Sequence, residues 1–172
     1  FLEAPTLRSL FEATASRQLW GDETLLDREA LGVIVAAMSM ENVLTRLTEG
    51  AVVLAPGDRA DVLVGVLLAH ASGTCPSLTG VILNGGFELV PQVQRLVSGI
   101  GSSLPIGMSH LGTFDALRKI TQTSGRLASD SQAPPTSDDS GAPIDPSDLP
   151  GEAAPPPPAP PAPLAPATDG GK

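Results

Sequence analysis

The stretch Ala51-Val52-Val53-Leu54-Ala55-Pro56-Gly57-Asp58-Arg59-Ala60-Asp61-Val62-Leu63 decides the fold. Ala51–Leu54 is short, apolar and without polar alternation, as expected of a strand covered on both faces. Pro56-Gly57 turns the chain. Asp58 then opens a helix whose inward stripe is Val62, Leu63, Val66 and Leu67, the spacing of an amphipathic helix. A buried strand joined to such a helix by a short turn is half of a βαβ unit.

The unit recurs on either side. Gly32–Met38 reads as another strand buried on both faces, followed by a helix capped by Ser39, with Val43, Leu44 and Leu47 inside and Gly50 as its stop. Val81-Ile82-Leu83 is a third strand, ending at Asn84-Gly85-Gly86, and Pro91 starts a helix with Val93, Leu96, Val97 and Ile100 inside. Pro105–Met108 makes a fourth, short strand, and Thr113 caps a last helix through Phe114, Leu117 and Ile120. Upstream, Ala4-Pro5-Thr6 leads into a first helix predicted over 7–19 from Leu7, Leu10, Phe11, Thr14 and Leu19, with Gly21 closing it. The solvated Asp27-Arg28-Glu29 follows. This alternation predicts an α/β domain: a mostly parallel sheet of about four to five strands flanked by helices, joined by right-handed crossovers.

Composition sets the limits of that domain. Of 18 prolines, 13 fall within residues 130–172, where seven acids face one base. All aromatic residues lie before residue 115. The expected division is therefore an α/β domain over 1–127 and a disordered acidic Pro/Ala-rich tail or linker over 128–172. Runs such as Pro155–Pro158 favour polyproline II and cannot bury enough apolar area to offset their ordering entropy. A domain of roughly 125 residues buries about two-thirds of its unfolded surface, enough for one core. A pI near 4.5 and only two lysines argue against nucleic acid as partner. No apolar run is long enough to span a bilayer as a helix, so no membrane association is expected. Cys75 is the only cysteine, which leaves no intrachain disulfide and no CxxC site. The chain begins at Phe1 without a signal-peptide pattern and reads as a piece of something longer from the cytoplasm.

Chemistry concentrates at two strand ends. Asp58 and Arg59 follow one, and Asn84, Gly85 and Gly86 follow another. Were the two strands neighbours, Arg59 and the Gly85 and Gly86 amides would flank a crevice suited to a small anionic metabolite. The same residues have a purely structural reading, with Asp58 as helix cap, Arg59 paired to Asp61, and the glycines serving a tight turn. GxxxxGK[ST] does not occur, so a P-loop is excluded. His70, His110 and Cys75 lack partners at metal-ligand or nucleophile spacing. No catalytic residue, metal or cofactor is expected, and the chemistry alone reads as a binding module.

In its order of motifs the chain resembles the DRTGG domain, and in particular the middle domain of long-form bacterial phosphate acetyltransferases. The resemblance rests on Ala4-Pro5-Thr6, Leu26–Glu29, Ala36-Ala37-Met38, Asn42-Val43-Leu44, Thr48-Glu49-Gly50, Ala55–Asp61, Gly80–Gly86 and Gly112–Asp115, and it covers about residues 1–127. The family's name-giving residues map onto Asp58, Arg59, Asn84, Gly85 and Gly86, with Asn84 in place of the usual Thr. The resemblance implies a regulatory or structural module of an enzyme that interconverts acetyl-CoA and phosphate with acetyl phosphate and CoA. It also implies a homo-oligomer, or an intramolecular contact with a catalytic domain that this chain lacks. A stand-alone signalling or adaptor module is the alternative.

Overall fold

The computed structural model describes residues 4–129, with side chains as far as residue 124. From residue 130 onward the expected Pro/Ala-rich tail lies outside the described residues. Helix α1 (Leu7–Ala13) is capped by Thr6, whose hydroxyl oxygen accepts from the Ser9 N–H at 3.3 Å. It stops well short of residue 19, the end that its apolar spacing predicts. The Thr14 hydroxyl donates to the Leu10 carbonyl at 2.7 Å, and Ala15 takes a φ of +50°. A left-handed non-glycine residue costs about 1–2 kcal/mol, and no Gly or Pro announces it. Arg17–Trp20 consequently forms a strand, β1, where the spacing predicts helix.

A 3₁₀ turn (Glu23–Asp27) leads to the alternating elements: β2 (Gly32–Val35), α2 (Met40–Leu44), β3 (Ala51–Pro56), α3 (Ala60–Ser72), β4 (Gly80–Asn84), α4 (Pro91–Ile100), β5 (Ile106–Met108) and α5 (Thr113–Ser129). The strands form one sheet in the order β1-β5-β4-β3-β2. β2 to β5 are mutually parallel, and β1 joins antiparallel beside β5. The α/β architecture with a mostly parallel sheet is thus as expected.

Strand order and handedness together fix the layers. β2, β3, β4 and β5 step across the sheet in one direction, so right-handed crossovers send α2, α3 and α4 to the same face. That face buries Val53, Ala55, Val81, Leu83 and Ile106 beneath Val43, Val62, Leu63, Val66 and Val97. α1 and α5 are not crossover helices and cover the other face, where Leu7, Leu10, Phe11, Ala116 and Ile120 pack on Val52, Leu54 and Ile82. Alternate residues of β3 and β4 therefore serve opposite cores. Each of these Val, Leu and Ile side chains contributes about 1.5–3 kcal/mol by leaving water. On β5, Gly107 lets α1 approach, because a Cβ there would stand 2.7 Å from the Phe11 ring.

Three further expectations are corrected. Leu96, expected on the inward stripe of α4, is 52% exposed. β2 is an edge strand and only half-buried along its length, not enclosed on both faces, because β3 is its one neighbour. Phe114 does not point inward. It is 79% exposed, since Ala116 and Ile120, one turn apart, set the buried face of α5. On the opposite side of the sheet, α2, α3 and α4 leave an open apolar groove of about 740 Å³ floored by Val64, Gly65 and Ala69. Among the described residues no helix is long and apolar enough to cross a membrane.

His70 has a structural role on the last turn of α3. Its Nδ1 accepts from the Leu78 N–H at 3.1 Å, which requires the neutral ring. Burial, and then the charge of Arg28, push its pKa below the ordinary histidine value. A depressed folded-state pKa means that the unfolded chain binds the proton more readily, so this contribution is present above the ordinary value and is lost as pH falls below it. Urea unfolding from pH 7.5 to 5 is expected to show stability falling over this window, and His70→Gln should remove that part of the slope. An unchanged slope in the variant would sink the assignment.

Candidate functional site

Among the described residues, helices depart from the sheet toward opposite faces at one place only. After β4 the chain turns to α4 on one side, and after β5 it turns to α5 on the other. In open parallel sheets such a divergence, at the carboxyl ends of the strands, is where a crevice forms for ligands. Asn84, Gly85 and Gly86 lie on its β4 side, and Ser109, His110 and Thr113 on its β5 side. β3 is the neighbour of β4, with Pro56 opposite Asn84. The loop carrying Asp58 and Arg59 therefore lies beside the Asn84 end of β4, on the side away from β5.

Each expected site residue has a definite environment. Asn84 is 3% exposed and turned inward. Its amide nitrogen donates to the Ala55 carbonyl at 2.9 Å, and its oxygen accepts from the Thr113 N–H at 3.1 Å and hydroxyl at 2.8 Å. It clamps β3 and β4 to the start of α5. Gly85 and Gly86 take φ of +90° and +68°, which a side chain would resist. Their N–H groups, however, donate to Leu111 O at 2.8 Å and Ser109 O at 3.0 Å, while the Gly57 N–H donates to Asn84 O at 2.9 Å. The backbone lattice here is closed, and these amides do not present free donors to an anion.

Asp58 is exposed and does not cap α3. Arg59 occupies the N-cap position without a side-chain cap bond, since a guanidinium has no acceptor to offer the first-turn N–H groups, and its own N–H closes a turn onto Pro56 O at 3.0 Å. The Arg59 guanidinium grips Asp61 in a two-pronged pair, Nε to Oδ1 at 2.9 Å and Nη2 to Oδ2 at 2.8 Å. Nη2 also reaches Met38 O at 3.3 Å, tying the β2–α2 loop to the β3–α3 turn. The Arg59 hydrogen bond holds the Asp61 carboxyl down at about 2, below its ordinary 3.8. Asp61 is therefore charged at every physiological pH. Arg59 remains a third exposed.

Phe87 and His110, which no local spacing ties to this edge, also join it. The Phe87 ring covers Gly85, and its backbone crosses above Gly57. The His110 imidazole lies against Gly86, where a Cβ would stand 2.6 Å from Nδ1. A positive φ at Gly86 beside an exposed histidine is a tertiary juxtaposition with no local sequence signal. Among the described residues no group of three or more His, Cys, Asp and Glu could hold a metal ion.

The sheet and its diverging helices define an α/β module with a mostly parallel sheet. Residues 9–123 match the family model of the DRTGG domain, and the chain belongs to that family. Two curated phosphate acetyltransferases match the same region. That of Nitratidesulfovibrio vulgaris is 29% identical over 133 residues, covering 75% of this chain and 18% of that protein. That of Synechocystis is 28% identical over 120 residues, covering 69% of this chain and 17% of that protein. The chain thus spans less than a fifth of these relatives. The CBS and DRTGG domains of the regulatory region of Clostridium perfringens pyrophosphatase, solved with the activator diadenosine tetraphosphate, superpose with a TM-score of 0.54. That likeness covers 69% of this chain and 46% of that one at 19% identity, and it shows a shared fold.

The Asn84 clamp is open to measurement. Asn84→Ala leaves the Ala55 carbonyl and the Thr113 donors without their buried partner and is expected to destabilise the domain by about 1–3 kcal/mol, with an unchanged denaturant slope. A loss below a few tenths in urea unfolding would contradict the clamp.

Proposed function

We propose that the chain is a non-catalytic regulatory or structural module of a phosphate acetyltransferase, and that its strand edge receives a small anionic metabolite at Arg59, beside Asp58, Asn84, Gly85 and Gly86. The observation that carries the first part is the family itself. The DRTGG match fills 9–123, and the phosphate acetyltransferases that share the region are several times longer than this chain. The conversion of acetyl-CoA and phosphate to acetyl phosphate and CoA then belongs to the remainder of such a protein. A phosphate-bearing ligand is supported by the neighbour's activator, diadenosine tetraphosphate. The use of the fold in a pyrophosphatase favours the second reading, a signalling module unconnected with acyl transfer.

Arg59 sets the electrostatics of such binding. Its resident counter-charge is Asp61, so an incoming anion must displace a charge-assisted pair before it gains the guanidinium. Gly85 and Gly86 shape the edge, Asn84 holds it, and the recognition falls to side chains.

Calorimetry with diadenosine tetraphosphate, ATP and acetyl phosphate tests the reading. At least one is expected to bind, Arg59→Ala to weaken it by about tenfold without unfolding the domain, and Asp61→Asn to tighten it by releasing the guanidinium. The purified chain should not convert acetyl-CoA and phosphate. Binding to none of the three, equal binding by Arg59→Ala, or robust turnover would each overturn the corresponding part.

A further inference from the structure

A second pocket, of about 270 Å³, opens between β1, β5 and the start of α4. An irregularity in β1 builds it. Arg17 stands opposite Met108 and Gln18 opposite Gly107, but Trp20 is opposite Ile106, so Leu19 is an extra residue in the ladder. Strict alternation would place Trp20 on the face away from Arg17. The bulge returns it to the face of Arg17 and Met108, a re-aiming for which such bulges are known. Its floor is apolar, with Leu89 and Met108 each 6% exposed.

The polar groups around this floor are opposite in sign and uncommitted. Arg17 and Glu88 both line the pocket, yet neither pairs with the other or with any charged group among the described residues. Gln94 Nε2 donates to Leu89 O at 2.6 Å. That bond fixes the amide and leaves its oxygen as an acceptor. One cation, one anion, one neutral acceptor, an indole ring and an apolar floor are complementary to a small zwitterion with an apolar side chain. The volume falls just below the roughly 300–1,000 Å³ of pockets for drug-sized ligands. A polyphosphate would set its charge against Glu88, which separates this pocket from the Arg59 edge.

We infer that this pocket is a distinct site for a free α-amino acid with an apolar side chain. Arg17 receives the carboxylate, and Glu88 with the Gln94 oxygen receives the ammonium. Trp20 covers the ammonium with its ring face. The side chain lies on Leu89 and Met108.

Trp20 is the only tryptophan and the chain has no tyrosine, so its fluorescence reports the pocket directly. L-leucine, L-methionine and L-phenylalanine are titrated into the full chain by fluorescence and calorimetry, beside N-acetyl-L-methionine and L-methionine methyl ester. At least one free amino acid should saturate, with the acetylated and esterified forms each about tenfold weaker. Arg17→Gln and Glu88→Gln, both exposed positions whose replacement leaves the thermal midpoint in place, should each weaken the free amino acid by about tenfold, and Arg59→Ala should leave it unchanged. Neither fluorescence change nor heat with any of the three free amino acids would overturn the site. Blocked forms binding as tightly as free ones would also overturn it, as would unaltered binding in both charge variants.

Discussion

One constraint organises this molecule: four parallel strands advance across the sheet in a single direction, and right-handed connections must carry all three intervening helices to one face. The opposite face would be bare without the two helices outside the crossovers. α1 and α5 fill it, and the first helix can do so only because the chain reverses at Ala15 and returns along β5 as β1. The same constraint decides where a ligand edge can lie. Between β2 and β3, and between β3 and β4, successive loops turn the same way, so no crevice opens. Only after β5, where the chain leaves for α5, do neighbouring loops part.

The parallel half of the fold was legible because its signals are local. Continuous apolar runs at 51–55 and 80–83, each followed by a turn and a helical stripe, specify strands buried on both sides and the elements that cover them. What stayed hidden depended on neighbours. Leu19 continues the apolar spacing of α1 closely enough to read as helix, while the signal that ends α1 is a hydroxyl bond from Thr14 and a positive φ at an alanine. The half-burial of β2 follows from its position at the edge of the sheet, which no residue of β2 encodes. Phe114 is large and apolar, so a helical stripe naturally includes it. The smaller Ala116 fits against the sheet and turns Phe114 to solvent.

The candidate site shows the same division. Strand ends bearing Asp58-Arg59 and Asn84-Gly85-Gly86 could be picked out, and their adjacency followed from strand order. The use of each group could not. Glycine pairs that suggest free amides are tied into the β5–α5 loop, the acid that suggests a cap is idle, and the arginine takes the cap position while holding Asp61. The edge is thus a hydrogen-bonded backbone frame with charged side chains around it. Small shifts at Asn84 would reach both β3 and the first turn of α5.

The closed hydrogen-bonded frame at Gly85 and Gly86 underlies the geometry of this edge. Amide hydrogen exchange at Gly85 and Gly86, read by NMR in the free protein, tests it most directly. Both amides are expected to be protected to the same degree as the neighbouring β4 and β5 strands, since their partners Leu111 O and Ser109 O belong to the same lattice. Exchange at the rate of an open loop would contradict it and return the two amides to the role of free anion donors.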